Sequence, residues 1–377
     1  MARSDSMLVI ALRRFLPIDD YSFPSFIATY SAPIVILFVS LITLIQGFRY
    51  RDLSYPVYFS MILHHDRFSI PVDESHLLEG LLGDFIGIFF LWLGLSPDTA
   101  MIMWWCMGLI LLSLVIYVSI KYESVDIVDI VLLLVFSRVV DTLLMWFPKF
   151  DSYLMAALIL SASRNKLLAI TGIGIAALFH PFVTLISTAG IVIFRAAFER
   201  IWFIEGIVFA SLMATIDLYL FHQFLPSLQN RYTTVFATIS SFYDTMRLSG
   251  RWGVIAFISS IIVPFLMMAY FGSLQRIPHK YVTAIILWIL LVGVLSSVFF
   301  DHTRDSCLLM VAPMIVFLRA LSWCDERQNH MFILTFAIFG LIRTVIPHVA
   351  QDGILLAQWS GEWSMLHFLW RWIWSIV

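Results

Sequence analysis

The chain is 377 residues long, 61% hydrophobic and 16% aromatic but only 13% charged, with a mean hydropathy of +0.92. Soluble domains carry roughly a quarter of their residues as charges, so this composition predicts an integral membrane protein with no polar stretch long enough for a separate soluble domain. A formal net charge of -2 without a long Lys/Arg tract excludes a polyanion-binding role, nucleic acid included.

At the N-terminus the apolar stretch precedes Arg13 and Arg14 and no small-residue cleavage site follows. That order is wrong for a cleaved signal peptide and suits a short amphipathic segment at the membrane surface. Windows of bilayer length then predict a first span over 24–47, followed by an external loop over 48–99 with helical character. Within that loop the run 80–96 is short, carries Asp84 and is punctuated by Gly80, Gly83, Gly87 and Gly94, so it is expected to lie along the membrane or dip into it. Further spans are predicted over 100–120, 125–147, 152–163, 167–195, 201–222, 253–273, 281–299, 307–323 and 331–349. The run 167–195 is too long for one crossing; Pro181 removes a backbone donor and clashes with the preceding turn, so two helices are expected to meet at His180–Pro181. The Trp-rich tail 350–377 reads as an interfacial segment. The expected fold is all-α, a polytopic transmembrane bundle of roughly 10–12 spans forming one integral membrane domain over 1–377, with its helical core at 100–349.

Lys/Arg bias orients the bundle. Arg13/Arg14, Arg164/Lys166, Arg195/Arg200, Arg276/Lys280 and Arg319/Arg327 fall in short segments that can all be cytoplasmic if 80–96 does not cross. The loop 48–99, the segment 147–152, the turn near His180, the connection 223–252, the turn 300–306 and the tail after Val349 then share the opposite side. Arg231, Arg247, Arg251 and Arg304 on that side run against the trend, which is explained if they hold something anionic.

Several polar constellations fall on the outer side. The stretch "LHHDRFSIPVDESHLLE", residues 63–79, gathers Asp66, Asp73, Glu74 and Glu79 with His64, His65 and His76. Paired carboxylates there suit a general base, or oxygen ligands for a divalent cation beside a phosphate, and His76 suits a ligand or proton shuttle; a solvated connector is the plain alternative. In "DHTRDS", Arg304 offers a planar fork of donors to phosphate oxygens, with Asp301 or Asp305 to orient it; a capped turn is the alternative. The connection 226–252 sets Arg231 and Arg247 among Tyr232, Tyr243 and Trp252, a pattern for lipid phosphates or for generic interfacial anchoring.

Two further groups lie in the apolar runs. Asp126 with Asp129 and Arg138 with Asp141 share helix faces in 125–147, as a structural ion pair or a proton or substrate path. His180, at the helix break, either lines a cavity or caps the break. The cysteines Cys106, Cys307 and Cys324 have neither metal-ligand nor CxxC spacing and read as small buried hydrophobes. Phosphate-loop, nucleophile-elbow, HExxH and dinucleotide-binding motifs do not occur.

The order of these features resembles the GT-C superfamily of polytopic glycosyltransferases, which use lipid-phosphate-linked sugars on the non-cytoplasmic side of a membrane. "VDESH", Val72 to His76, is similar to the acidic pair followed by histidine in the first external loop of protein O-mannosyltransferase relatives. The run from Phe147 to Leu185 is similar to the superfamily's core: an external polar residue, a helix inward to an Arg/Lys turn, a short helix outward and a proline-marked turn. "DHTRDSCLLMVAPMIVFL" is similar to its late external turn and proline-bearing helix. The resemblance covers about residues 30 to 325 in pattern and rests on few specific residues. It implies Asp73 as catalytic base with Glu74 beside it, Arg304 as a phosphate contact, a polyprenyl-phosphate-linked sugar as donor and membrane lipid as surroundings; the lack of an N-x-[ST] sequon is compatible with a bacterial inner membrane as location. A divalent cation near Glu74 is compatible with the resemblance, and Arg231, Arg247, His76, His180 and Asp301 complete the expected substrate contacts. The chain departs from the pattern in placing the acidic pair far beyond the first span, which leaves Asp66 and Asp52 as competing bases, and in showing no large external C-terminal domain for a protein acceptor. A carrier or flippase for a lipid-linked or anionic solute, and a non-catalytic membrane subunit, are the alternatives.

Overall fold

The computed structural model describes residues 92–122, 151–224, 279–298 and 302–321, together with isolated helical positions between 82 and 90, strands at 348–350 and 353–355 and a helical turn at 373–374. The first span 24–47, nearly all of the 48–99 loop, the runs 125–147, 226–273 and 331–347 and most of the tail lie outside the described residues.

Seven α-helices account for almost all of the described chain: α1 Pro97–Tyr122, α2 Asp151–Ser161, α3 Lys166–Phe179, α4 Pro181–Phe194, α5 Ile204–Phe224, α6 His279–Val298 and α7 His302–Leu321. A π-helical turn, Arg195–Glu199, extends α4, and β1 His348–Ala350 pairs antiparallel with β2 Gly353–Leu355, Val349 opposite Ile354. The final two residues of the expected span 331–349 therefore belong to this ladder.

Local chemistry sets the boundaries. Ser96 caps α1 by accepting the Thr99 amide at 3.3 Å, and Pro97 follows at the first helical position, where its missing N–H costs nothing. Asn165 caps α3, its side-chain oxygen accepting the amides of Leu167 and Leu168 at 3.0 and 3.2 Å. The long run splits at His180–Pro181 as expected, into α3 and α4. One boundary differs from expectation: α7 begins at His302, so "DHTRDS" is mostly helix and Arg304 and Asp305 stand in its first turn. A hydropathy window sees only the apolar part of a helix, whereas this polar first turn is favoured by an acid near the helix N-terminus.

Helix α4 lies at the centre, packed against α3, α5, α6 and α7; α2 pairs with α3 and carries α1 on its outer side. Two close approaches fix this arrangement. A methyl on Gly172 of α3 would collide with the Ser161 amide nitrogen and stand 2.7 Å from the Ala157 carbonyl oxygen, so α2 and α3 touch backbone to backbone. On α4, a methyl on Gly190 would stand 2.5 Å from the Trp288 ring and 2.7 Å from the Pro313 ring, where α4, α6 and α7 meet. The Trp288 indole N–H donates to the Ile186 carbonyl at 3.2 Å, and the Ser187 hydroxyl to the Leu308 carbonyl at 3.4 Å, near the turn opened by Pro313.

Polarity is distributed in an unusual way. Asp151, Ser152, Thr184, Ser187, Thr188, Arg195, Asp217 and Arg319 are buried, while large apolar side chains line exposed helix faces: Met103, Met107, Ile110, Leu114 and Tyr117 on α1, Ile204, Val208, Leu212, Ile216 and Tyr219 on α5, and Leu287, Leu290, Leu291 and Val294 on α6. Among the described residues, two helical segments, Ile102–Ser119 and Pro181–Glu199, are long and apolar enough to cross a membrane; the first is mostly exposed and the second mostly buried.

Because backbone rather than a flexible side chain opposes Gly172, Gly172→Ala should force α2 and α3 apart and destabilise the fold by about 2 kcal/mol, in the range of core overpacking. Denaturant unfolding of purified protein in detergent checks this, and an unchanged midpoint would contradict the close approach.

Candidate functional site

The helix directions sort the polar residues into two ends. Helix α2 runs from Asp151 to a turn holding Arg164, and α3 returns to His180; α4 starts there and carries Glu199 back beside Arg164. Arg319, near the C-terminus of α7, also meets Glu199, so the first turn of α7 with Arg304 points to the Asp151–His180 end. Among the described residues, Arg164, Arg195 and Arg319 thus lie at one end of the helical assembly, and Asp151, His180 and the first turn of α7 at the other.

At the basic end a single carboxylate organises three guanidinium groups. Glu199 Oε2 accepts from Arg195 Nε at 3.1 Å, and Glu199 Oε1 lies 3.3 Å from Arg164 Nε and 3.1 Å from Arg319 Nη2. The side chains of Glu199 and Arg195 are 4% exposed and that of Arg319 is 0% exposed, while Arg164 stands at the rim. Arg195 also stacks over Phe203, its guanidinium carbon 4.9 Å from the ring centroid, which offsets part of the desolvation left by an Nη1 without a hydrogen-bond partner. The π-helical turn ends at Arg200, in the left-handed region at φ 57°, before the chain enters α5. Lys166 pairs with Glu205 at 2.6 Å at the same end.

The opposite end is polar without being a basic cluster. Asp151 and Ser152 open α2, both buried, and the Ser152 hydroxyl has no hydrogen-bond partner. The next residue, Tyr153, stacks on Phe179 at 5.5 Å and on Trp104 at 6.1 Å and donates its hydroxyl to the Trp104 carbonyl at 2.6 Å. That packing sets the start of α2 beside His180, which serves both flanking helices. Its N–H donates to the Ala176 carbonyl at 2.8 Å, its carbonyl accepts the Thr184 amide at 3.0 Å and the Thr184 hydroxyl at 2.9 Å, and its Nδ1 accepts the Val183 amide at 3.4 Å. With Nδ1 accepting, the proton of the neutral ring resides on Nε2. His180 therefore caps the break, and Nε2–H is the group with which it can donate to a partner.

The expected site residues are placed unevenly. His180 and the first turn of α7 with Arg304 share one end; Asp66, Asp73, Glu74, His76, Arg231, Arg247 and Asp301 lie outside the described residues. Among the described residues no three His, Cys, Asp or Glu side chains are grouped to hold a metal ion, and the expected cation position near Glu74 is outside them. Sequence reasoning passed over Asp151, although it follows Pro148 at the head of an apolar run, and read Arg164, Arg195 and Arg319 only as orientation signals. The i,i+4 spacing of Arg195 and Glu199 was visible; convergence of Arg164 and Arg319 on the same carboxylate was not. Protein-family models, curated proteins and solved structures yield no match to this chain.

Two outcomes test this geometry. Removing the charge that three arginines share, as in Glu199→Gln, should cost about 3 kcal/mol or more of stability, since a broken buried pair leaves its partners uncompensated. At the helix break, His180→Leu should lose about 1 kcal/mol of capping, while His180→Asn keeps an acceptor and stays near the parent. Thermal unfolding of the three variants side by side reads both.

Proposed function

We propose that the chain is a polytopic integral membrane protein, and that it is a glycosyltransferase moving a sugar from a polyprenyl-phosphate donor to an acceptor on the non-cytoplasmic face. The membrane part is supported by the distribution of polarity: apolar side chains line the exposed faces of α1, α5 and α6 while Asp151, Asp217, Arg195 and Arg319 are buried. A soluble bundle would show the reverse, and buried charge beneath an apolar exterior suits a protein whose solvent is hydrocarbon. Paired cations at one end of the assembly suit the cytoplasmic side.

The catalytic part rests on one observation. Asp151, Ser152, His180 and the first turn of α7 with Arg304 gather at the end away from the basic cluster. With the basic end at the cytoplasmic interface, the 14 residues of α3 reach about 21 Å into a hydrocarbon core of about 30 Å. The His180 turn then stands at the depth of the far leaflet, where a lipid-linked phosphate meets an acceptor arriving from water. In this reading Asp73 takes the proton of the acceptor hydroxyl as its oxygen attacks the anomeric carbon. The bond between that carbon and the phosphate oxygen breaks, and the electron pair leaves on polyprenyl phosphate, stabilised by Arg304 with Arg231 or Arg247. Bacterial surface polysaccharide or glycolipid assembly is the setting this chemistry suits.

A carrier for a lipid-linked or anionic solute draws on a different feature, the meeting of α3 and α4 at His180, which leaves helix ends at membrane depth. The two readings separate on the same variants. Asp73→Asn should lower release of polyprenyl phosphate from polyprenyl-phosphate-linked hexose about a hundredfold or more with insertion unchanged; a carrier tolerates it and instead loses solute movement in Asp129→Asn or Arg138→Gln. Full transfer activity in Asp73→Asn removes the assigned base.

Topology is testable without substrate. A cysteine placed at Lys166 and one placed at Asp301 should react with a membrane-impermeant maleimide from opposite sides of sealed vesicles. Labelling of both from one side contradicts the orientation.

A further inference from the structure

The basic end has a second layer outside the Glu199 cluster. Arg164, Arg195 and Arg319 meet Glu199, and Lys166 meets Glu205. Among the other cations described at this end, Lys121 lies over its own helix's Tyr117 and Tyr122, while Arg200 and Lys280 are exposed next to a different pair of rings. The ring of Tyr281, next to Lys280 in the chain, packs on Trp202, two residues after Arg200. Trp202, 57% exposed, packs on Tyr281 with ring centroids 6.0 Å apart, joining the approach to α5 to the first turn of α6, and Lys280 Nζ lies 4.9 Å from the Tyr281 ring centroid. From this corner the exposed apolar faces of α5 and α6 begin, with Ile204 and Val208 on one and Ile286 and Leu287 on the other.

Resting on the membrane reading above, we infer that this corner binds an anionic glycerophospholipid, its phosphate held by Arg200 and Lys280, its glycerol region against Trp202 and Tyr281, and its acyl chains along α5 and α6. Three features point to a lipid rather than a peptide or a second copy of the chain. Two exposed cations, Arg200 two residues before Trp202 and Lys280 next to Tyr281, adjoin rings that favour the headgroup level. The apolar surface continues from them down two helices, matching a molecule that is anionic at one end and hydrocarbon along its length. Arg200 is held in the left-handed region, a conformation unfavourable for an arginine, at the point where the chain turns from the buried cluster to this exposed corner.

The test uses the full chain. Washed membranes containing it are first extracted with alkaline carbonate; the protein is then purified in neutral detergent and its thermal unfolding followed with added phosphatidylglycerol, phosphatidylcholine or glycerol phosphate. Phosphatidylglycerol should raise the unfolding midpoint well above phosphatidylcholine, and glycerol phosphate alone should not. The double variant Arg200→Gln/Lys280→Gln should unfold like the parent in phosphatidylcholine and bind phosphatidylglycerol roughly tenfold to thirtyfold more weakly, as expected for two cations at an anionic headgroup. Equal responses to the two lipids, an undiminished response in the double variant, or a full response to glycerol phosphate each overturn the inference. Release of the protein by carbonate overturns the membrane reading instead, so the two failures are distinguishable.

Discussion

The described helices depend most on the carboxylate of Glu199. It receives Arg195 from its own π-helical turn, Arg164 from the α2–α3 connection and Arg319 from the end of α7, so one side chain joins three parts of the chain that are far apart in sequence. Burying an ion is costly unless it is paired and hydrogen-bonded, and the interior amplifies both the cost and the attraction. The result is a fixed level at one end of the assembly. Everything else that orients the molecule is measured from it: which way α3 and α4 run, which end His180 occupies, and which turn of α7 faces the opposite side.

The interior between those ends is held by a different kind of contact. Small residues at Gly172 and Gly190 let helices approach until backbone or ring atoms touch, as is expected where neighbours and surroundings are equally apolar and packing must replace the hydrophobic drive. Polar side chains in this region turn back on nearby carbonyls. Thr184 and Thr188 donate to the carbonyls one turn earlier, and Ser187 and Trp288 donate across helices. Few of these groups are left to seek solvent, which permits the outer faces to be apolar.

Much of the helical layout was legible in the sequence, because hydropathy reports long apolar runs and proline reports their breaks. The split at His180–Pro181 and the Arg/Lys turn between α2 and α3 were both read correctly. The start of α7 was placed too late, since a polar first turn is invisible to an apolar window. The candidate site was legible only in fragments. Arg195 and Glu199 have helical spacing, but the extra residue of a π-helical turn and the arrival of Arg164 and Arg319 are tertiary facts that no periodicity carries. Asp151 escaped notice because a lone acid at the head of an apolar run looks like an ordinary helix start, and only its burial marks it out. The acidic stretch around Asp73, the most conspicuous feature of the sequence, lies outside the described residues.

The backbone contact at Gly172 also has a mechanical meaning. Helices that touch through interlocked side chains can slide by changing rotamers, whereas a helix whose carbonyls and amides face a bare glycine has no soft layer in which to shear. With α4 pinned by Trp288 and Pro313 at Gly190 and the far end clamped at Glu199, α2, α3, α4 and α7 form a stator. Even α1, on the outer side of this block, is tied to it in the same way, since a methyl on Gly108 would collide with the Ser152 side chain and stand 2.7 Å from the Tyr153 ring.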